Sequence, residues 1–267
     1  METDAVFEIR RDQNYNLFQM VSVNNNVDAH FHSNIEIVYV MDGEMEITIG
    51  RRRRTLGPGS IAIADSYDIH SYKTDRQSLI RLLIIPLEFA GSFSRMAEGM
   101  TFASPFLIDG DTDKRIYNAM TQLEHLDPHS LAAKGYLYVI LGTLAERLTL
   151  IPRAKEPGDI GPIRNILLYL EHHYREPIQI SELAKQFGYN KDYLSRLWVA
   201  TLGCGFKQYL GVLRARHAAN LIRSTDGRIA DIADASGFNT QRTFNRAFKE
   251  LYGMTPAEYK KQSVGKE

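Results

Sequence analysis

Cysteine and long apolar runs are both scarce in this sequence. Among its 267 residues only Cys204 is a cysteine, so the chain cannot close a disulfide within itself, and a reducing compartment is expected. No stretch reaches the roughly 18 consecutive apolar residues that a membrane-spanning helix requires. The first twelve residues contain acidic side chains and lack the apolar centre of a signal peptide. We therefore expect a soluble cytoplasmic protein without a membrane partner.

Net charge is also lacking, but the charge balance differs between the two halves of the chain. The formal net charge is zero. Residues 160–267 contain 16 Lys and Arg against 10 Asp and Glu, whereas residues 1–159 contain 16 against 22. This asymmetry is either a chance distribution of charge or a sign that one end of the chain binds a polyanion and the other does not.

The N-terminal part of the sequence contains short β-branched and aromatic runs separated by turn residues. These runs are residues 36–41, 44–49, 60–64 and 78–87. Asp42-Gly43 lies between the first two runs and is typical of a tight hairpin turn. Many short strands at this spacing predict a β-sandwich or a small β-barrel. The basic run 51–54 is either a nucleic-acid patch or, as we favour, the solvated edge of a hairpin.

Two amphipathic helices and a linker are predicted after these strands. Apolar residues recur at helical spacing over 116–126 and again over 136–148. Their apolar faces need cover, either by packing on the β-rich part or by forming a dimer interface. Pro and Gly then cluster over 152–162, which indicates a linker. The predicted domains are a β-rich domain at 1–110, a helical segment at 111–151, a linker at 152–161 and a second domain at 162–267.

The second domain contains an imperfect internal repeat. Residues 180–190 align with residues 229–239, and each segment ends in Gly, an aromatic residue and Asn. After one inserted residue the alignment pairs Leu194, Arg196, Trp198, Gly203 and Tyr209 with Phe244, Arg246, Phe248, Gly253 and Tyr259. Gly and Asn tolerate the left-handed backbone of a tight turn, so each copy predicts a helix-turn-helix.

The second helix of each copy is expected to bury one face and expose the other. The helical pattern exposes Asp192, Tyr193, Ser195 and Arg196 in the first copy, and Gln241, Arg242, Asn245 and Arg246 in the second. Arginine pairs bidentately with guanine, and glutamine or asparagine pairs with adenine, in the major groove. Double-stranded DNA is therefore the expected partner of this domain.

These motifs resemble those of the AraC/XylS family of bacterial transcription regulators. The resemblance covers residues 162–262 and is carried by the second copy at 228–239, 244–249 and 253–259, with matching residues in the first copy. It implies two recognition helices in successive major grooves, about 34 Å apart. It assigns base contacts to Asp192, Ser195, Arg196, Gln241, Arg242, Asn245 and Arg246.

The resemblance also implies the binding partners of this domain and its mode of regulation. Promoter DNA, RNA polymerase and a second copy of the chain are the implied partners, and activation is the implied mode. The sequence departs from the family at Val199-Ala200, where lysines are common. The second copy is therefore expected to contribute more of the affinity for DNA.

Two histidines and a carboxylate form the main candidate site of the N-terminal domain. His30, His32 and Glu36 share parity, so on a single extended strand their side chains would project from one face. This set suits a divalent transition metal, and His70 is a candidate fourth ligand. The spacing His30-x-His32-x3-Glu36-x6-Gly43 resembles the first cupin motif, while the second motif is only partly present around His70.

The cupin resemblance implies an effector domain and completes the predicted architecture. The expected fold class is α+β, with a cupin-like β-barrel and two flanking helices before an all-α double helix-turn-helix domain. The predicted effector-binding residues are His30, His32, Glu36, Tyr39 and His70, and Phe31, Tyr67 and Tyr72 are further aromatic candidates for stacking on a sugar.

Three functions are compatible with this site. The first, which we favour, is an activator of genes for carbohydrate uptake or catabolism that binds a small effector, most simply a sugar, and has no catalytic activity. The second is a metal-dependent cupin enzyme attached to a DNA-binding domain. The third is a direct metal sensor that uses His30, His32, Glu36 and His70. The remaining interpretation is purely structural: these polar residues hydrogen-bond one another and bind no ligand.

Overall fold

The computed structural model describes residues 5–8, 17–97, 99–108, 114–153, 160 and 162–264. Contacts divide the chain into two compact units, residues 1–159 and residues 160–267. Most of the predicted linker at 152–161 lies outside the described residues, as does the start of the predicted helical segment at 111. No helix of the described part is long and apolar enough to cross a membrane.

The first unit is built on two five-stranded sheets. Its strands are β1 (Val6–Phe7), β2 (Phe18–Val23), β3 (Val27–Phe31), β4 (Ile35–Gly43), β5 (Met45–Ile49), β6 (Arg52–Leu56), β7 (Ile61–Ala64), β8 (His70–Lys73), β9 (Ser78–Ile85), β10 (Met100–Phe102), β11 (Phe106–Leu107) and β12 (Leu150–Pro152). One sheet has the order β1-β3-β8-β5-β6, the other has the order β11-β7-β4-β9-β2, and β10 pairs with β12.

Side-chain alternation along β4 shows how the layers of this unit are arranged. Val38 and Val40 join a core formed by residues of both sheets. Ile35 and Ile37 lie on the other face of β4 and join a second core with the helices. A four-residue 3-10 turn leads into α1 (Gly91–Met96), and α2 (Lys114–Leu123) and α3 (Leu131–Arg147) follow.

Two expectations for this unit were wrong. The sheets are not closed into a barrel, because their edge strands do not pair with each other in the part of the chain that the structure describes. Asp42-Gly43 is not a hairpin turn, since β4 and β5 belong to different sheets. Gly43 instead lies where the chain crosses between sheets, at φ +71°, and a Cβ there would lie 2.2 Å from the Gln77 carbonyl oxygen.

Of the two alternatives for burying the apolar faces of the flanking helices, the structure shows packing on the β-rich part. The buried residues of α2 and α3 pack in one core with the outer face of the second sheet. Val139 is an exception, because it fits the apolar period but is 41% exposed. The basic run lies mostly on β6, an edge strand, and Arg53 and Arg54 are exposed to solvent.

The second unit is entirely helical in its described part. It comprises α4 (Pro162–His173), α5 (Ile180–Gln186), α6 (Lys191–Leu202), α7 (Phe206–Ser224), α8 (Ile229–Ala235), α9 (Gln241–Tyr252) and α10 (Pro256–Val264). The predicted repeat is confirmed, since α5–α6 and α8–α9 are the two helix-turn-helix copies and α7 joins them. The α+β fold class with a helical C-terminal domain is likewise confirmed.

Candidate functional site

The first predicted recognition helix, α6, is preceded by a capping residue and has one apolar face. Asn190 accepts hydrogen bonds from the backbone amides of Asp192 and Tyr193 at 2.8 and 3.2 Å, which satisfies two free donors of the first turn. Asp192 and Arg196 are exposed, and Ser195 is half-buried. The buried residues of α6 are Leu194, Trp198 and Leu202.

The second recognition helix, α9, has a more basic exposed face. Its predicted contact residues Gln241, Arg242, Asn245 and Arg246 are all exposed, while Phe244 and Phe248 are completely buried. Thr240 caps the helix by accepting from the amide of Thr243 at 3.2 Å. The four polar side chains therefore project from a rigid helix toward solvent.

The Arg246 guanidinium is not held inside the protein. Arg246 is 73% exposed, and its Nε atom lies 4.0 Å from the Glu250 carboxylate. An ion pair at this distance on an exposed helix face contributes at most a few tenths of a kcal/mol. Arg246 can therefore exchange this contact for a base edge at little cost.

In both copies an aromatic pair at equivalent positions of the repeat packs the predicted recognition helix. Trp198 packs edge-to-face on Tyr209, with ring centroids 5.4 Å apart and planes at 74°. The repeat equivalents Phe248 and Tyr259 have centroids 5.4 Å apart and planes at 77°. Such pairs stabilise by about 0.5–1.5 kcal/mol beyond area burial. They fix each recognition helix against the helix that follows it.

In the first unit, His30, His32, Glu36 and His70 converge in the interior. One ligand atom from each residue lies within 4.8 Å of the others, and all four residues are buried. His30 is on β3, Glu36 is on β4 in the other sheet, and His70 begins β8 opposite His30. The expectation that His30, His32 and Glu36 share one strand was wrong, because the chain crosses between sheets at residues 32–34.

Hydrogen bonds fix the orientation of the rings. The Nδ1 atoms of His30 and His70 lie 2.9 and 2.8 Å from the carbonyl oxygens of Asp28 and Asp68. A carbonyl oxygen only accepts, so both Nδ1 atoms donate, and the Nε2 lone pair of each neutral ring is left for a ligand. Metal-binding histidines characteristically have such an outer partner.

Glu36 is held from two sides. The Tyr72 hydroxyl donates to Oε1 at 2.6 Å, and Nε2 of His32 donates to Oε2 at 3.0 Å. Nε2 of His70 lies 3.7 Å from Oε2, beyond hydrogen-bond distance. Tyr72 was predicted to stack on a ligand, and its role as a Glu36 donor was missed. The shared parity of residues 70 and 72 on one strand is the signal that could have found it.

The electrostatics of the cluster favour a charged carboxylate at Glu36 and a neutral imidazole at His30. Burial and the neighbouring His70 lower the pKa of His30 to about 4. Burial raises the pKa of Glu36, but its contacts with His32 and His70 outweigh burial and hold the pKa well below its usual range. Burial lowers the pKa of His70, and the nearby Glu36 carboxylate more than compensates, so that pKa is raised.

The four residues of the cluster could hold a metal ion. Ligand atoms around a tetrahedral zinc are about 3.3 Å apart, so the four atoms need only a small contraction. The buried Nδ1 of His32 and Nε2 of His70 have no hydrogen-bond partner among the described residues. Buried polar atoms without partners are costly, and a bound cation would satisfy an imidazole lone pair.

The aromatic residues expected around an organic effector do not form one lining. Tyr39 lies on the opposite face of β4 from Glu36, with its ring centroid 5.2 Å from that of Tyr117 on α2. Phe31 and Tyr67 are completely buried. The structure therefore brings together His30, His32, Glu36 and His70, but it does not bring Tyr39 to them.

Both units match known families. A family described as an AraC-like ligand binding domain matches residues 22–141, and one described as a helix-turn-helix domain matches residues 183–262. An HTH-type transcriptional regulator of Staphylococcus aureus (strain MSSA476) is 25% identical over 84% of this chain and 31% of its own length. The chain thus spans about a third of the length of the curated relatives it matches.

Two further comparisons found similar proteins. Transcriptional regulator Rob of Salmonella typhimurium is 36% identical over 39% of this chain and 36% of its own length. The structure of ToxT from Vibrio cholerae aligns with 94% of this chain and 100% of that chain, at 13% identity and a TM-score of 0.43. With the two family matches covering about three quarters of its length, this chain belongs to the AraC/XylS family.

Proposed function

We propose that this protein is a sequence-specific DNA-binding transcription regulator whose N-terminal unit binds an effector. The observation that carries the proposal is the exposed polar face of α9, where Gln241, Arg242, Asn245 and Arg246 stand on a buried aromatic scaffold. The family matches and the relatives favour a regulator over an enzyme. Activation through contact with RNA polymerase is the mode we propose.

Selection from a random library of double-stranded DNA tests the DNA-binding proposal. We expect the full chain to enrich a defined sequence. The double variant Arg242→Ala with Arg246→Ala should lose about 2–6 kcal/mol of specific binding, because each bidentate base contact contributes about 1–3 kcal/mol. Fluorescence anisotropy at fixed salt measures the loss.

The matched control is Arg76→Ala, which removes an exposed arginine from the first unit. It should leave the affinity for the selected DNA unchanged. Failure of the full chain to enrich any sequence at low ionic strength would contradict the proposal, and so would equal affinity of the double variant and the control.

We also propose that the effector site is the buried cluster and that it binds a divalent transition metal. Three imidazoles and a carboxylate in a buried cluster form a donor set suited to zinc, nickel or iron. The residues that would hold the ion are His30, His32, Glu36 and His70, and the ion would supply positive charge that orders the β3, β4 and β8 segments around it. A carbohydrate effector remains the alternative, since polar groups and aromatic rings also recognise sugars.

Thermal melting separates the two effectors. Zinc at 100 times its Kd should stabilise the chain by about 2.7 kcal/mol, because a ligand that binds only the folded state raises the melting temperature. The double variant His30→Ala with His32→Ala should lose this shift. If a mono- or disaccharide raises the melting temperature in the presence of a chelator, and still does so in the double variant, the effector is a sugar and not a metal.

A second copy of this chain is the partner we propose for α3. Leu131 is 86% exposed, and Tyr138 and Val139 are 43% and 41% exposed on the side of α3 that does not join the core. Apolar side chains exposed together on one helix are typical of an interface. The variant Leu131→Glu with Val139→Glu should shift sedimentation from dimer to monomer, whereas Arg76→Glu, an exposed position elsewhere in the same unit, should not. A wild-type chain that sediments as a monomer at all concentrations would contradict the proposal.

A further inference from the structure

One arginine links two carboxylates of the loop between β7 and β8. Nη1 of Arg153 donates to Oδ1 of Asp68 at 3.0 Å, and Nη2 donates to Oδ2 of Asp65 at 3.3 Å. All three side chains are less than one-fifth exposed. Contacts between charged groups at this depth are screened far less by water and salt than surface pairs are.

The same loop holds two residues of the histidine cluster. The amide of Tyr67 donates to the carbonyl oxygen of His32 at 2.8 Å, and Nδ1 of His70 donates to the carbonyl oxygen of Asp68. Tyr67 has φ +61° and is completely buried. A bulky residue persists in this left-handed conformation only where its surroundings over-determine it. The loop is therefore a defined structure whose geometry is tied to the positions of His32 and His70.

Arg153 also has a particular place in the chain. It follows β12 directly, its amide donates to the carbonyl oxygen of Gly99 at 2.9 Å, and its Nε donates to the carbonyl oxygen of Met100 at 3.3 Å. The second unit begins at Ile160, seven residues later. Arg153 thus joins the last described segment of the first unit to the loop that holds the cluster.

We propose that Arg153 is a positioning residue that couples metal binding at the cluster to the segment where the chain leaves the first unit. This inference rests on the metal site proposed above. Coordination draws the rings of His32 and His70 toward one point, and the hydrogen bonds of both residues transmit the shift to the loop. Asp65 and Asp68 of this loop both bind the Arg153 guanidinium. The loop conformation that places His32 and His70 for metal binding is therefore the one in which Arg153 binds both carboxylates. Coupling of this kind is reciprocal.

Zinc titration of the full chain by calorimetry tests this coupling. Direct loss of an outer-shell partner typically costs about 10–100-fold in metal affinity. The outer-shell partner of His70 is the Asp68 carbonyl, and Arg153 acts on it only through the loop. We therefore expect Arg153→Met to bind zinc several-fold and up to about tenfold more weakly than the wild type. Arg153→Lys keeps the positive charge but loses the bidentate geometry of the guanidinium. Its zinc affinity should lie between those of the wild type and Arg153→Met. Arg76→Met, the matched control on an exposed turn, should bind zinc as the wild type does.

Hydrogen exchange provides a readout that a purely structural role would not change. Zinc should slow exchange of the amides of Leu150, Ile151 and Arg153 in the wild type and leave them unchanged in Arg153→Met, at zinc concentrations that saturate both proteins. Wild-type zinc binding with equal affinity in Arg153→Met, or equal protection in both, would overturn the coupling alone. Absence of zinc binding to the wild type would overturn the metal site and this inference together.

Discussion

Single residues make the two recognition helices unequal in charge. Asp192 stands in the exposed first turn of α6, and Val199 and Ala200 are exposed further along it. The exposed residues of α9 include Arg242, Arg246 and Lys249 against one acid, Glu250, whereas α6 exposes Lys191 and Arg196 beside Asp192. A carboxylate repels phosphate or accepts from a cytosine amino group, whereas a lysine or arginine releases counterions on binding DNA.

We therefore expect Arg246→Ala to weaken DNA binding more than Arg196→Ala does. The two positions are equivalent in the repeat, so each variant serves as the control for the other. Arg246→Ala should lower the affinity for DNA roughly tenfold or more, as expected for the loss of one bidentate contact. Arg196→Ala should lower the affinity less. Anisotropy titrations on the same selected duplex measure both affinities. Equal losses would contradict the asymmetry.

The residues of the histidine cluster show what sequence can and cannot predict at this scale. His30, His32, Glu36 and His70 could be identified because their spacing is that of a known motif. Their geometry could not, since the break at residues 32–34 depends on which sheet each strand joins. Arg153 was not predictable, because its contacts with the loop cross 85 and 88 residues and a lone arginine has no motif.

Among the elements, the two helix-turn-helix turns are closely similar in sequence but differ in how tightly they are packed. Gly188 and Gly237 both have positive φ, at 75° and 85°. A Cβ at Gly188 would meet nothing within 4 Å, whereas a Cβ at Gly237 would lie 2.6 Å from the carbonyl oxygen of Arg175. The backbone of Arg175 cannot give way as a flexible side chain would.

This difference predicts unequal costs for the same substitution. Gly188→Ala should lower the free energy of unfolding by about 1–2 kcal/mol, the cost of a left-handed non-glycine residue. Gly237→Ala should cost more, because the clash with Arg175 adds to the same backbone strain. Urea denaturation of the two variants measures the difference. Equal stabilities would show that the packing around Gly237 relaxes without cost.

Element type was more predictable than element pairing. Turn glycines, capping residues and an apolar period of 3.6 specify α5–α6 and α8–α9 locally, and the repeat reinforces them. Strand pairing in the first unit depends on distant partners, so the Asp42-Gly43 signal was overridden when β4 joined β7 and β9 rather than β5. Closure of the sheets into a barrel is also a long-range property, and the sequence contains no local signal for it.

At the scale of the whole molecule, regulation requires that the two units affect each other's ligands. Each unit has its own core, with the cluster in the first and the recognition helices in the second. An effector that bound both functional states equally would change nothing, however tightly it bound. The proposed function therefore implies a free energy of coupling between zinc and DNA.

We expect zinc to change the affinity of the full chain for its selected DNA by a factor within the usual range of about 5–150, and DNA to change the affinity for zinc by the same factor. Anisotropy with and without zinc measures the first quantity, and calorimetry on free and DNA-bound protein measures the second. The control is His30→Ala with His32→Ala, which keeps the whole DNA-binding unit and should bind DNA with one affinity in both conditions. A wild-type chain that binds zinc tightly but shows unchanged DNA affinity would assign the cluster a structural role, because independent ligands cannot regulate each other.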